Sequence, residues 1–66
     1  MRIKVNNKEM ELPEASSLQQ VADTLALPAR GVAMAVNNRM VPRAEWTTHI
    51  VHENDSLVVI KAACGG

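Results

Sequence analysis

The chain has 66 residues, 47% of them apolar, yet it holds no Phe or Tyr and a single Trp. A chain this short makes one domain that buries only about 60% of the surface its unfolded form exposes, so Val, Leu, Ile, Met and Ala must supply an economical core, most simply a small sheet closed by one helix. Seven basic and seven acidic residues cancel, which removes the electrostatic footprint of a nucleic-acid binder, and no apolar run approaches the roughly 18 residues that span a bilayer.

In chain order, the opening Met1 to Val5 alternates. Met1, Ile3 and Val5 share one face and Arg2 and Lys4 the other, the period-2 pattern of a half-buried strand. Asn6-Asn7 tolerates positive φ, and the alternation resumes through Met10 and Leu12, which predicts a hairpin that Pro13 ends. Ser17 is the expected N-cap of a helix, with Gln20 placed to reach back in a capping box. Leu18, Val21, Ala22 and Leu25 then form one apolar stripe on a helix that stops before Pro28.

Gly31 reopens an extended run, VAMAV (Val32 to Val36), which meets Asn37-Asn38 and returns through Arg39-Met40-Val41 as a second hairpin. From Pro42 the pattern lapses: one short helical turn drops Trp46 onto the edge of the core, and a turn is expected around Asn54-Asp55. Leu57 to Ile60 is the last strand. This order of elements, in one layer with one helix across it, is an α+β, β-grasp arrangement with a mixed sheet of about four to five strands. Residues 1–61 form the domain and residues 62–66 a flexible tail ending in Gly-Gly.

VAMAV and LVVI are apolar at every position, which normally signals burial on both faces, although one helix covers only one. Met34, Val36, Leu57 and Val59 are expected to face the helix, leaving Ala33, Ala35, Val58 and Ile60 on the open face. Either these strands are apolar simply because they are central, with the 43–55 segment shielding part of that face, or the patch docks a partner.

The stretches MRIKVN, VAMAVNNRMVPRAEW and HIVHENDSLVVI, with the terminal Gly65-Gly66, resemble the ubiquitin-like sulfur carriers along the whole chain. The likeness is closest to the ThiS type, which serves thiamin (thiazole) biosynthesis. It implies that the α-carboxylate of Gly66 is adenylated with ATP by an E1-like enzyme of the ThiF type and that sulfur then displaces AMP to give a C-terminal thiocarboxylate. It further implies delivery of that sulfur to a thiazole synthase of the ThiG type, and a donor such as a cysteine desulfurase or a sulfurtransferase. The carrier itself would bind no cofactor and would be monomeric when free. By the same likeness, Val58 and Ile60 match outward-facing last-strand residues of ubiquitin, so the docking patch is expected at Val58, Ile60 and Ala35.

The residue types suit such work. A carboxylate threaded to an ATP α-phosphate needs a slender backbone, and only glycine lacks the Cβ that restricts passage and dihedrals, which gives Gly65 a threading role. For Cys64 one reading is a part in sulfur handling; the other is a small residue in a tail of small residues. With an unperturbed thiol pKa near 8.5 and only Lys61 nearby to lower it, the second is favoured.

His49 and His52 lack further ligands for a metal, and Arg39 and Arg43 read first as a solvated face and second as partners for acidic groups on the activating enzyme. One cysteine cannot form an internal disulfide, and without a charged-then-apolar leader the chain reads as cytoplasmic. No nucleophile stands beside a base, so the expectation is a co-substrate acted on by other enzymes, not an enzyme. The alternatives are a sulfur carrier of another pathway, of the molybdopterin-synthase small-subunit type, or a non-carrier β-grasp interaction module.

Overall fold

The computed structural model describes residues 1–28 and 30–61. Strands β1 (Arg2–Val5) and β2 (Lys8–Glu11) form the first hairpin, and helix α1 (Leu18–Thr24) follows. Strands β3 (Val32–Val36) and β4 (Arg39–Val41) form the second hairpin, a 3₁₀ turn occupies Arg43–Glu45, and β5 (Ser56–Lys61) closes the sheet. The strand order is β2-β1-β5-β3-β4. The last strand therefore lies in the middle, parallel to β1 and antiparallel to β3, and the β-grasp expectation is borne out.

Two Asn-Asn turns set the hairpin registers. Asn6 and Asn7 have φ of 51° and 69°, and Asn37 and Asn38 have 50° and 70°. Two successive left-handed residues make the turn whose twist matches the flanking strands, and Asn tolerates that region better than other non-glycine residues. Val5 consequently faces Lys8, and Val36 faces Arg39.

The helix begins as its sequence dictates. Gln20 N–H donates to Ser17 Oγ at 3.2 Å, and Ser17 N–H donates to Gln20 Oε1 at 2.8 Å, a complete capping box. Two further donors of the first turn are met from outside: Leu18 N–H reaches His49 O at 2.9 Å, and Gln19 N–H reaches Trp46 O at 3.0 Å. At the other end, Ala26 N–H bonds to Asp23 O and Leu27 N–H to Ala22 O, a Schellman motif. Its left-handed position is filled by Ala26, at φ 55°, where glycine would carry no Cβ penalty.

Leu18, Val21 and Ala22 are buried, but Leu25 is 39% exposed. The helix has seven residues and Leu25 is its C-cap, so the fourth member of the expected stripe falls where the chain is already leaving the helix. The core joins these helix residues to Ile3, Val5, Met34, Val36, Leu57 and their neighbours.

The segment from Pro42 to Asp55 contributes more than its irregular pattern suggests. Trp46 lies inside the core at 1% exposure, not at its edge. Its indole N–H donates to Val41 O at 2.9 Å, and the Arg43 guanidinium sits over the ring, 4.5 Å from its centre. Val51 is equally buried, held by a bond from its N–H to Ser16 O at 2.9 Å. With Trp46 the largest buried side chain, this segment supplies the bulk that a core without Phe or Tyr lacks.

Capping chemistry predicts effects of opposite sign at the two helix ends. Ser17→Ala removes the cap acceptor and is expected to lower the unfolding free energy by about 1 kcal/mol. Ala26→Gly relieves the left-handed backbone and is expected to raise it by about 0.5–1 kcal/mol. Urea denaturation followed by circular dichroism reads both.

Candidate functional site

The site builds outward from β5. Alternation along this strand puts Leu57 and Val59 toward the helix and Val58 and Ile60 on the open face. The register places Val58 opposite Ala35 and Ile60 opposite Ala33, while Met40 on β4 faces Ala35 from the far side. A row Met40-Ala35-Val58 thus crosses three strands, with Ala33-Ile60 beside it. Met40 is 56% exposed, Ile60 47% and Val58 40%.

Ala35 differs from its expected place on the exposed patch. It is only 8% exposed, because a methyl between two longer side chains on adjacent strands is screened by both. Ala35 forms the floor of the patch, and Met40 forms its outer wall. Met40 is an unexpected member of the patch, although a two-residue turn at Asn37-Asn38 is enough to place it opposite Ala35.

The other half of the open face is charged and internally compensated. Arg2 of β1 pairs with Glu11 of β2, its Nε donating to Glu11 Oε1 at 3.2 Å, and Arg2 N–H donates to Glu53 Oε1 at 2.9 Å. The hydrogen bond to Glu11 raises the Arg2 pKa above its ordinary value, and the charges of Glu9, Glu11 and Glu53 add to this. Lys4 lies opposite Glu9. The face is therefore divided: β3, β4 and β5 present apolar surface, and β1 and β2 present charges of both signs, with Arg2 and Glu11 paired directly.

On the helix side, an open cleft of about 440 Å³ lies between Leu25 and Leu27 after the helix, Met10 of β2, and Val59 and Lys61 of β5. His49 and His52 line a separate groove with Arg39 and Asp55. The Asp55 carboxylate there accepts from His52 N–H at 2.8 Å and from Asn37 Nδ2 at 3.1 Å. No cluster of metal-ligating side chains occurs among the described residues. Arg43 is engaged over Trp46 and lies 3.4 Å from Pro28 O, and both it and Arg39 are exposed. Cys64, Gly65 and Gly66 lie outside the described residues.

A mixed five-stranded sheet grasping one helix, with its C-terminal strand central and an apolar open face beside the strand end, defines a ubiquitin-like β-grasp protein. The sequence model of the ThiS family matches residues 2–66, and the chain belongs to that family. It is similar to the sulfur carrier protein ThiS of Escherichia coli (strain K12), with 29% identity over 66 residues covering the whole of both chains. Its fold is also that of the crystal structure of the thiamine biosynthesis protein ThiS from Geobacter metallireducens, at a TM-score of 0.86 and 20% identity over the full length of both. No helix among the described residues is long and apolar enough to cross a membrane.

The division between walls and core sets different tolerances. Met40→Gln and Ile60→Thr, both on the exposed patch, are expected to change the unfolding free energy by less than about 0.5 kcal/mol. Met34→Ala, on the same sheet but fully buried, is expected to cost about 2–5 kcal/mol. Urea titration of the three variants tests the assignment of faces.

Proposed function

We propose that this protein is a sulfur carrier whose reactive group is the α-carboxylate of Gly66. In this reading a ThiF-type enzyme directs a carboxylate oxygen onto the α-phosphate of ATP, releasing pyrophosphate and leaving a C-terminal acyl adenylate. A persulfide formed on a cysteine desulfurase or sulfurtransferase then attacks the acyl carbon through its terminal sulfur, and AMP departs with its electron pair. A second thiol of the donor system cleaves the resulting acyl disulfide, taking up the donor sulfur as a disulfide and releasing the acyl-bound sulfur. The product is a thiocarboxylate, which a ThiG-type thiazole synthase uses as the source of ring sulfur. The chain provides no catalytic group for either step; it is the substrate that two enzymes share.

The observation that carries this proposal is the placement of β5. The strand is held in the centre of the sheet as far as Lys61, and the remaining sequence, Ala62 to Gly66, has no side chain larger than that of Cys64. A firm base followed by slender residues suits a carboxylate that must enter two different active sites. The Met40, Val58 and Ile60 surface lies beside that base and offers each enzyme an apolar hold. Membership of the ThiS family supports the assignment to thiamin biosynthesis.

Intact mass after incubation with the adenylating enzyme, ATP and a sulfur donor tests the chemistry. The expected result is a gain equal to the difference between one sulfur and one oxygen, absent when Gly66 is deleted and reduced in Gly65→Ala. An unchanged mass in the presence of an enzyme that demonstrably binds the chain would remove the carrier assignment. For the surface, Val58→Asp is expected to weaken binding to the adenylating enzyme by about tenfold or more, the effect of burying a charge within an apolar contact, with little change in unfolding free energy.

A further inference from the structure

Strands β1 and β5 run parallel, joined by two bonds from the β1 side: Lys4 N–H to the O of Asp55, just before β5, at 2.9 Å, and the N–H of Asn6, just after β1, to Leu57 O at 2.9 Å. The main chain of β1 goes no further, because Asn6 and Asn7 have already turned into left-handed conformations toward β2. The ladder nonetheless continues by one rung on a side chain. Val59 N–H donates to Asn6 Oδ1 at 2.8 Å, and Asn6 Nδ2 lies 3.5 Å from Val59 O. A carboxamide presents an acceptor and a donor side by side, as a peptide group does, so Asn6 stands in for the residue that β1 no longer supplies. Beyond Val59, Ile60 and Lys61 pair with Ala33 and Val32 of β3; among the described residues, the register with β1 ends at Leu57.

The first residue of β5 is held in the same way. Ser56 N–H donates to Asn37 Oδ1 at 3.0 Å, and Asn37 N–H donates to Ser56 O at 2.7 Å. The first Asn of each turn thus serves two purposes, bending its own hairpin and gripping the central strand. Turn geometry alone asks only for a residue that accepts positive φ; it does not ask for a side chain that reaches another strand.

Resting on the carrier reading above, we propose that Asn6 is a positioning residue for the C-terminal tail: by clamping Val59 it fixes where, and in which direction, β5 releases the chain toward the partner enzymes. Val59 lies two residues before the end of β5 at Lys61, so a shift of the backbone at Val59 carries over into the direction in which the strand ends. Without the clamp β5 is held past Leu57 from the β3 side only, and a smaller fraction of carriers presents the tail along the productive line. The apparent affinity for the adenylating enzyme falls in proportion to that fraction, whereas a carrier already seated reacts at the normal rate. Both bonds lie at the surface, so losing them leaves the core intact.

Two substitutions separate the clamp from the turn. Asn6→Gly keeps the left-handed conformation but has no side chain, and Asn6→Asp keeps an acceptor for Val59 N–H. ATP–pyrophosphate exchange catalysed by the adenylating enzyme is measured as a function of carrier concentration, together with hydrogen exchange at the Val59 amide and the thermal midpoint by circular dichroism. For Asn6→Gly the expected result is a KM for the carrier raised about fivefold at near-wild-type kcat, with faster exchange at Val59. Asn6→Asp is expected to return both toward wild type.

A wild-type KM in Asn6→Gly overturns the clamp and leaves the carrier reading standing. An Asn6→Asp variant as impaired as Asn6→Gly overturns it too, since the acceptor would then be irrelevant. Loss of the folded state in Asn6→Gly assigns Asn6 to the hairpin and overturns the proposal as well. A wild-type chain that supports no exchange refutes the carrier reading itself, and the clamp with it.

Discussion

Everything in this fold depends on β5 lying between β1 and β3. The strand comes last in the chain but occupies the centre of the sheet, so its pairing joins the first hairpin to the second. Each of its two neighbours contributes a turn asparagine that grips it, Asn37 at its first residue and Asn6 at Val59. Leu57 then presses into the core between Val5 and Val36, to which it is directly paired. Contacts so distant in sequence must repay the entropy of closing most of the chain into a loop before they stabilise anything. Local signals favour the hairpins and the helix by themselves; the central strand makes them one domain.

The second requirement is volume. A core without Phe or Tyr is short of large side chains, and the segment after β4 resolves this by delivering Trp46 and Val51 from a stretch with little regular structure. The same segment caps the helix, since carbonyls of Trp46 and His49 receive helix donors that no side chain reaches. Irregular backbone is acceptable here because its polar groups find partners: Val51 N–H meets Ser16 O, Asn54 N–H meets Arg2 O and Asp55 N–H meets His52 O. Arg43, stacked on Trp46, covers the outer face of the ring with a group that stays solvated.

The proposed docking surface follows from this arrangement of strands without any pocket being needed. A strand paired on both sides has one face committed to the core and one left open. Where β1 and β2 meet the open face, Arg2 pairs with Glu11 among charges of both signs; where β3, β4 and β5 meet it, Met40, Val58 and Ile60 remain uncovered. A partner therefore gains most by covering the apolar half, and doing so brings it beside the end of β5, where the chain departs. In the proposed carrier role, adhesion placed next to delivery is what lets one short protein serve successive enzymes.

Much of this was legible in the residues. The Asn-Asn turns, the Ser17-Gln20 box, the helix stripe as far as Ala22, and the alternation of Val58 and Ile60 against Leu57 and Val59 are local features, and local sterics and hydrogen bonding determine them. The family likeness of the chain was equally present in its sequence. What only the tertiary structure decided depends on which elements become neighbours. Ala35 is screened because Met40 and Val58 flank it; Trp46 is central because the sheet leaves a space for it; Leu25 is exposed because the helix ends before it. Asn6 reaches Val59 only after β5 has been placed beside β1, since a side chain's partner across a sheet is fixed by strand order and not by the residues around it.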